Sequence, residues 1–298
     1  MALDPQRLMR LATLASMGVA LVLIAAKSTA WLLTDSVSML SSLVDSGLDF
    51  VASLVTFVAV RQALVPADAD HRFGHGKAEA LAGLAQAGFI AASGAGLLLT
   101  VGDRLVHPHA VEREMLGLAV SALALVLTGG LVLFQRHVVR RSGSIAVGAD
   151  RAHYATDLVS NIAVGIAIFL SGTFKLPLID AGVAALVALY LMHGAWQVGR
   201  ESLDVLMDRE LPDGDRRRIL DIVRHHPEVR DAHDLRTRSS GLTKFVQLHV
   251  GLDPGLPLVR AHEIGRQVQA DIEAAFPGAE VILHVDPHGL AAPRVATA

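Results

Sequence analysis

Six apolar runs, each about as long as a helix needs to cross a membrane, constrain this chain more than any other feature. They lie near Leu11–Leu33, Ser38–Val60, Leu81–Val101, Met115–Phe134, Ile145–Leu170 and Leu178–Val198. A span needs about 20 mostly apolar residues to cover roughly 30 Å of hydrocarbon. Inside that layer every backbone polar group must be satisfied within the protein, which selects helices for such runs. No soluble fold comfortably holds six of them in the first two thirds of a 298-residue chain. Composition agrees: 18% of residues are charged, where a soluble domain carries about a quarter. Gly83, Gly88, Gly94, Gly96, Gly129 and Gly130 fall inside the runs, as expected where helices pack closely in lipid. The first run follows a short polar segment, Met1 to Arg10, and is too long for a signal peptide, so it reads as a retained helix.

Orientation follows from Lys and Arg beside the span ends. Arg7, Arg10, Arg61, Arg72, Lys77, Arg136, Arg140, Arg141 and Arg151 fall on one side, and only Arg104, Arg113 and Lys175 on the other. Both termini are therefore expected in the cytoplasm. A net charge of −3 gives no reason to expect a nucleic-acid partner. Cysteine is absent, so there is neither a disulfide framework nor a thiolate site. Any metal has to be held by carboxylates and by some of the 14 histidines.

The composition changes abruptly after Val198. The expected organisation is a six-helix transmembrane domain over 1–200, a cytoplasmic domain over 201–287 and a disordered tail over 288–298. Leu211-Pro212-Asp213 opens a helix with Ile219, Ile222 and Val223 on one face. Alternating runs at Asp231–Ser239 and Thr243–Leu252 flank the turn signal Ser240-Gly241. A second helix over Pro257–Phe276 turns Val259, Ile264, Val268 and Ile272 inward, and a strand covers Ala279–Asp286. The order α-β-β-α-β predicts an α+β domain whose antiparallel or mixed sheet carries helices on one face.

Ionisable residues sit inside two of the runs. Asp45 and Asp49 are four residues apart and share a helical face, as do His153 and Asp157. Ser38, Ser41, Ser42 and Ser53 extend the first stripe, and Asp150, Ser160 and Asn161 lie near the second. Each ionisable group at the centre of a span costs roughly 2.5–3.5 kcal/mol on insertion scales. Three carboxylates repel one another, so mutual pairing does not offset that cost, whereas a divalent ion does. Three Asp and one His form a closed tetrahedral donor set. The competing reading is hydrogen bonding between packed helices, or placement in water at the span ends. Lys27 is a lone charge near the outer end of its run and can snorkel, so no role is assigned to it.

The segments Ser-Leu-Val-Asp-Ser-Gly-Leu-Asp at 42–49, Asp-His-Arg-Phe-Gly-His-Gly-Lys-Ala-Glu at 70–79 and His-Tyr-Ala-Thr-Asp at 153–157 together resemble the cation diffusion facilitators, over essentially the whole chain. That resemblance implies a homodimeric metal/proton antiporter of a bacterial inner (plasma) membrane, with six spans and a ferredoxin-like cytoplasmic metal-binding domain. It implies a transport site of Asp45, Asp49, His153 and Asp157, the set associated with Zn²⁺ and also with Cd²⁺ and Fe²⁺. Co²⁺ suits the same donors.

Asp68, Asp70, His71 and His75 lie between the second and third runs. His71 and His75 have helical spacing and a carboxylate precedes them; a polar loop at a helix start is the plainer reading. The resemblance favours Asp68, His71 and His75 as a second metal site. In the last strand His284 and Asp286 fall on the face opposite Val281, Leu283 and Val285. In the strand before it, Phe245, Gln247 and His249 oppose Val246, Leu248 and Val250. His233 and His249 are each eight positions from Gly241, so a hairpin centred there sets them across from one another. His262, at the start of the second helix, could close the set; solvated surface histidines are the alternative. The resemblance agrees with His233, His249, His262, His284 and Asp286 as a binuclear site.

The expected function is efflux of a divalent cation, Zn²⁺ first, in exchange for protons by alternating access, with bilayer lipid as the surrounding partner. One rival is a membrane metalloenzyme, but His-Glu-x-x-His is absent and no Ser/His/Asp order stands out. The other is a passive channel or sensor, which a tight four-ligand set disfavours.

Overall fold

The computed structural model describes residues 4–106, 115–174 and 177–289. Arg113, Lys175 and the tail from residue 290 lie outside the described residues. The chain divides into two compact units, Met1–Leu203 and Asp204–Ala298.

The first unit holds six long helices among the described residues: α1 (Pro5–Thr34), α2 (Val37–Ala63), α3 (Ala78–Val106), α4 (Met115–Ser142), α5 (Ile145–Phe174) and α6 (Pro177–Leu206). All but α5 contain a described stretch long and apolar enough to cross a membrane. Helix α5 carries Asp150, Arg151, His153 and Asp157 in its first half. Local chemistry sets the helix ends. Asp4 accepts from Gln6 N at 3.4 Å with Pro5 in the first turn, the arrangement that suits an N-terminus. The chain turns from α4 to α5 through Gly143, whose φ of +67° and bond to Val139 O at 2.8 Å end α4. Ser144 caps α5 by accepting from Val147 N at 3.3 Å. Its hydroxyl donates to the buried Glu79 carboxylate of α3, which also accepts from Ala146 N at 3.4 Å. The start of α5 is thus tied to α3. Helices α3 and α6 approach closely: a Cβ at Gly83 would collide with Ser202 Oγ, and one at Gly94 would meet Leu191 Cβ at 3.2 Å.

The second unit holds α7 (Asp213–His225), β1 (Asp231–Ser240), β2 (Thr243–Leu252), α8 (Leu258–Ala275) and β3 (Ala279–Pro287). The sheet order is β1-β2-β3, with β1 antiparallel and β3 parallel to β2, so the sheet is mixed. Ile219 and Val223 of α7 and Ile264, Val268 and Ile272 of α8 are buried with Val246, Leu248, Val250 and Val281 in one apolar core. One facing assignment needs correction. Val259 is 72% exposed, because α8 begins at Leu258 and its buried stripe starts only at Ile264. Phe245, on the face opposite Val246 and Leu248, is nevertheless buried, with the Arg238 guanidinium 4.6 Å above its ring.

The hairpin register has an origin the sequence did not display. Ser240 pairs with Thr243 around a two-residue turn, and that register runs back as far as Arg236 opposite Gln247. Continued unchanged, it would set Asp234 opposite His249. A bulge between His233 and Arg236, with Asp234 at φ +49°, shifts the ladder by one residue and sets His233 opposite His249. Because side chains alternate with a period of two, this single inserted residue brings His233 to the face of His249.

Candidate metal centres

Among the described residues, three groups of potential ligands converge. In the membrane unit, ligand atoms of Asp49 from α2 and of His153 and Asp157 from α5 all lie within 4.8 Å of one another. His153 Nε2 is 3.2 Å from Asp49 Oδ1 and 3.6 Å from Asp157 Oδ2. One imidazole nitrogen therefore faces two carboxylates from two helices. Asp157 Oδ2 is buried without a hydrogen-bond partner, which fits a cation better than a finished hydrogen-bond network. Asp45, one turn before Asp49 and exposed, is not within that radius; four residues of helix rise about 6 Å.

Asp150 is not part of this cluster. It is fully buried, accepting from Gln86 Nε2 at 3.2 Å and Gln135 Nε2 at 2.7 Å. Gln86 also donates to Thr56 Oγ1 at 2.9 Å and Ala52 O at 3.0 Å, so one polar knot joins α2, α3, α4 and α5. Beside it the Tyr154 hydroxyl lies 2.8 Å from Ser53 Oγ. Lys27 corrects its expected placement. It reaches neither end of its helix for water but donates to Ser46 Oγ at 2.6 Å and Ser42 O at 3.0 Å on α2.

In the connection between α2 and α3, Asp68 Oδ1 accepts from His71 N at 2.7 Å and Asp70 N at 3.0 Å. The His71 amide holds the Asp68 carboxyl below its usual range. His71 Nδ1 is 3.4 Å and His75 Nε2 3.5 Å from the two Asp68 oxygens. The two rings sit 4.5 Å apart, centroid to centroid. The expected helical spacing is not what joins them: residues 71–77 form turns, with Gly74 N bonded to His71 O at 2.9 Å and Gly74 at φ +74°.

In the second unit, ligand atoms of His233, His249 and Asp286 lie within 4.8 Å of one another. Asp286 Oδ2 is 2.7 Å from His249 Nδ1 and 3.6 Å from His233 Nε2, while Oδ1 is 3.1 Å from His284 Nε2. One carboxylate thus touches three imidazoles on three strands. Partial burial works against its charge, but the His249 hydrogen bond and the neighbouring histidines outweigh that and keep its pKa below the usual range. His262 is exposed on α8 and stands outside the group, two residues from the buried Ile264 and so turned away from the helix's packed face. Two carboxylates were missed. Asp231 Oδ2 is 2.9 Å from His233 Nδ1, and Asp234 Oδ2 is 3.8 Å from His249 Nε2. Asp231 was foreshadowed by its spacing of two from His233; Asp234 reaches the site only through the bulge.

Known proteins share this architecture. The cation efflux transmembrane domain family matches residues 13–207, and the cation efflux protein cytoplasmic domain family matches residues 211–288. The chain belongs to the cation diffusion facilitator family. Among its relatives are the cation-efflux pump FieF of Cronobacter sakazakii, 46% identical over 95% of this chain and 94% of that protein, and that of Shewanella oneidensis, 46% identical over 93% and 94%. The metal-bound C-terminal domain of the CzcD transporter from Thermotoga maritima is a solved structure that covers 26% of this chain and 93% of its own, at 22% identity and a TM-score of 0.26. As a cation diffusion facilitator, the chain is a multi-pass membrane transporter for cations, not an enzyme.

Proposed function

We propose that this transporter expels Zn²⁺ from the bacterial cytoplasm across the inner membrane in exchange for protons. The observation that carries the reading is the meeting, within 4.8 Å, of Asp49 from α2, a helix long and apolar enough to cross a membrane, with His153 and Asp157 from α5 packed beside it. Asp45, a turn away, completes a four-donor set once the helices close on a cation. Oxygen and imidazole donors suit Zn²⁺, and also Cd²⁺, Fe²⁺ and Co²⁺. Metal binding needs ionised carboxylates and neutral imidazole, so loading releases protons and protonation ejects the metal. If the site opens alternately to either side, that competition is the exchange.

The cytoplasmic group of His233, His249, His284 and Asp286 would hold resident metal in a homodimer, with His262 completing the shell after rearrangement or from a second copy. Asp68, His71 and His75 would hold a more exposed ion. The boundaries 1–200, 201–287 and 288–298, with both termini cytoplasmic, follow from composition and from the Lys and Arg asymmetry.

Zn²⁺ flux into proteoliposomes under an imposed pH gradient tests the reading. The gradient accelerates flux, and Asp49→Ala reduces it to background. Flux that survives Asp49→Ala removes the site assignment, and flux indifferent to the gradient removes the antiport.

A further inference from the structure

The sequence assigned Lys27 no role, and its surroundings give it one. A lysine within an apolar helix ordinarily extends toward water. This one instead crosses to α2, where Nζ takes the Ser46 hydroxyl at 2.6 Å and the Ser42 carbonyl at 3.0 Å. Ser42, Asp45, Ser46 and Asp49 stand at i, i+3, i+4 and i+7, a single stripe of α2. The ammonium is therefore docked on the turn that carries both acids of that helix. Its hydrogen bonds go to neutral acceptors, one of them the buried Ser46, so the carboxylate lone pairs stay open to a metal. Docked between Ser42 and Ser46, it stands within a turn of Asp45 and Asp49, close enough for its charge to bear on both.

We propose that Lys27 is the fixed counter-charge of the membrane metal site, docked beside the acids to hold their grip on the dication loose enough for release. The inference rests on the reading of Asp45, Asp49, His153 and Asp157 as the transport site. Three ionised carboxylates around a dication leave one negative charge in excess, and in a water-poor site that excess deepens binding. One tethered ammonium cancels it. The loaded site is then neutral, and the repulsion between ammonium and dication speeds departure. Lys27 acts through the field and contacts no ligand atom of the metal, so it is a positioning residue.

A purely structural lysine, serving only to tether α1 to α2, makes the opposite prediction. Its loss would loosen the site, weakening affinity and flux together. The counter-charge predicts that Lys27→Met lowers the KM for Zn²⁺ roughly tenfold while the maximal rate falls by a similar factor, because tighter binding shows as slower release. Lys27→Arg keeps the charge and stays near wild type in both. Equilibrium Zn²⁺ binding to the full-length protein, compared between Lys27→Met and Lys27→Met combined with Asp49→Ala, isolates the membrane site from the others and shows the same tightening. Where Lys27→Met fails to insert, Lys27→Gln is read in the same way. An unchanged or raised KM overturns the proposal. Asp49→Ala, measured alongside, separates the two claims. If Asp49→Ala is inactive and Lys27→Met is normal, only the counter-charge is lost; if Asp49→Ala transports normally, the site assignment falls and takes the counter-charge with it.

Discussion

Both units bury apolar side chains, but they differ in how much polar chemistry they bury with them. In the membrane unit Glu79, Gln86, Gln135 and Asp150 are buried, while Leu32, Leu99, Leu133 and Trp196 lie on the outside. In the cytoplasmic unit the core is Ile219, Val223, Leu248, Ile264, Ile272 and their neighbours, and among the described residues its buried polar side chains are only Thr237 and Ser240. Lipid tails are as apolar as leucine, so helices in a bilayer gain little from hiding leucine. Their cohesion comes from close approach, as at Gly83 and Gly94, and from polar groups whose alternative is unsatisfied exposure to hydrocarbon. In water the driving force is apolar burial itself. The candidate metal centres follow this division. The membrane group is enclosed between helices, and the cytoplasmic group lies on the sheet face away from the apolar core.

The largest expected effect tests whether enclosure makes one metal centre obligatory and the other supportive. Asp157→Asn should cut Zn²⁺ flux by roughly a hundredfold or more, since it removes a charged donor from the enclosed set. Asp286→Asn should abolish zinc binding to the cytoplasmic group yet leave flux within roughly tenfold of wild type, the range of a supporting role. Equal losses in the two variants would erase the distinction between the centres.

Next come changes that exchange the solvents' rules. Ile272→Ala empties the cytoplasmic core and should cost about 2–5 kcal/mol, read as faster hydrogen exchange in β2 and α8 of the full-length protein. Leu133→Lys places a charge on the lipid-facing side of α4, where Leu133 is 67% exposed, and should cost about 2.5–3.5 kcal/mol near mid-span, seen as reduced insertion. Gln135→Leu leaves Asp150 Oδ2 without its 2.7 Å donor and should cost roughly 1–3 kcal/mol, measured as a lower Tm in detergent with KM unchanged. Were Gln135→Leu stabilising, polar cohesion in the membrane unit would be the wrong account.

The sequence exposed the elements far better than the convergences. Apolar run length announces a span whatever its neighbours do, and the alternation in β2 and β3 marks their core faces. Distant partners leave no such trace. Nothing local tells that Gln86 and Gln135 meet on Asp150, that Glu79 ties down the start of α5, or that Lys27 crosses to α2. The pairing of His233 with His249 was reached by counting from Gly241 as though the hairpin were regular. It holds because a bulge at Asp234 offsets the two-residue turn, and that same bulge brings in Asp234, which the counting missed. For Val259 the apolar residue type misled: burial starts a turn later, where α8 meets β3.

The smallest expected effect comes from the counterpart of Leu133→Lys in water. Leu258 is 85% exposed at the first position of α8. If the cytoplasmic unit obeys the rules of water, a charge there displaces no lipid and breaks no packing, so Leu258→Glu should change stability by no more than about 0.5 kcal/mol. The sign should favour the variant. Helix α8 has no acidic residue in its first turn and no side-chain cap on Pro257, and a negative charge at a helix N-terminus gains about 0.3–1 kcal/mol from the unpaired amides when little screened. Thermal unfolding of the full-length protein checks this, followed through the hydrogen exchange of α8. A loss well beyond that margin would mean that Leu258 is covered in the assembled protein, by lipid or by a second copy of the chain. Concentration dependence separates those two: the penalty grows on dilution if a second copy covers it, and follows the detergent if lipid does.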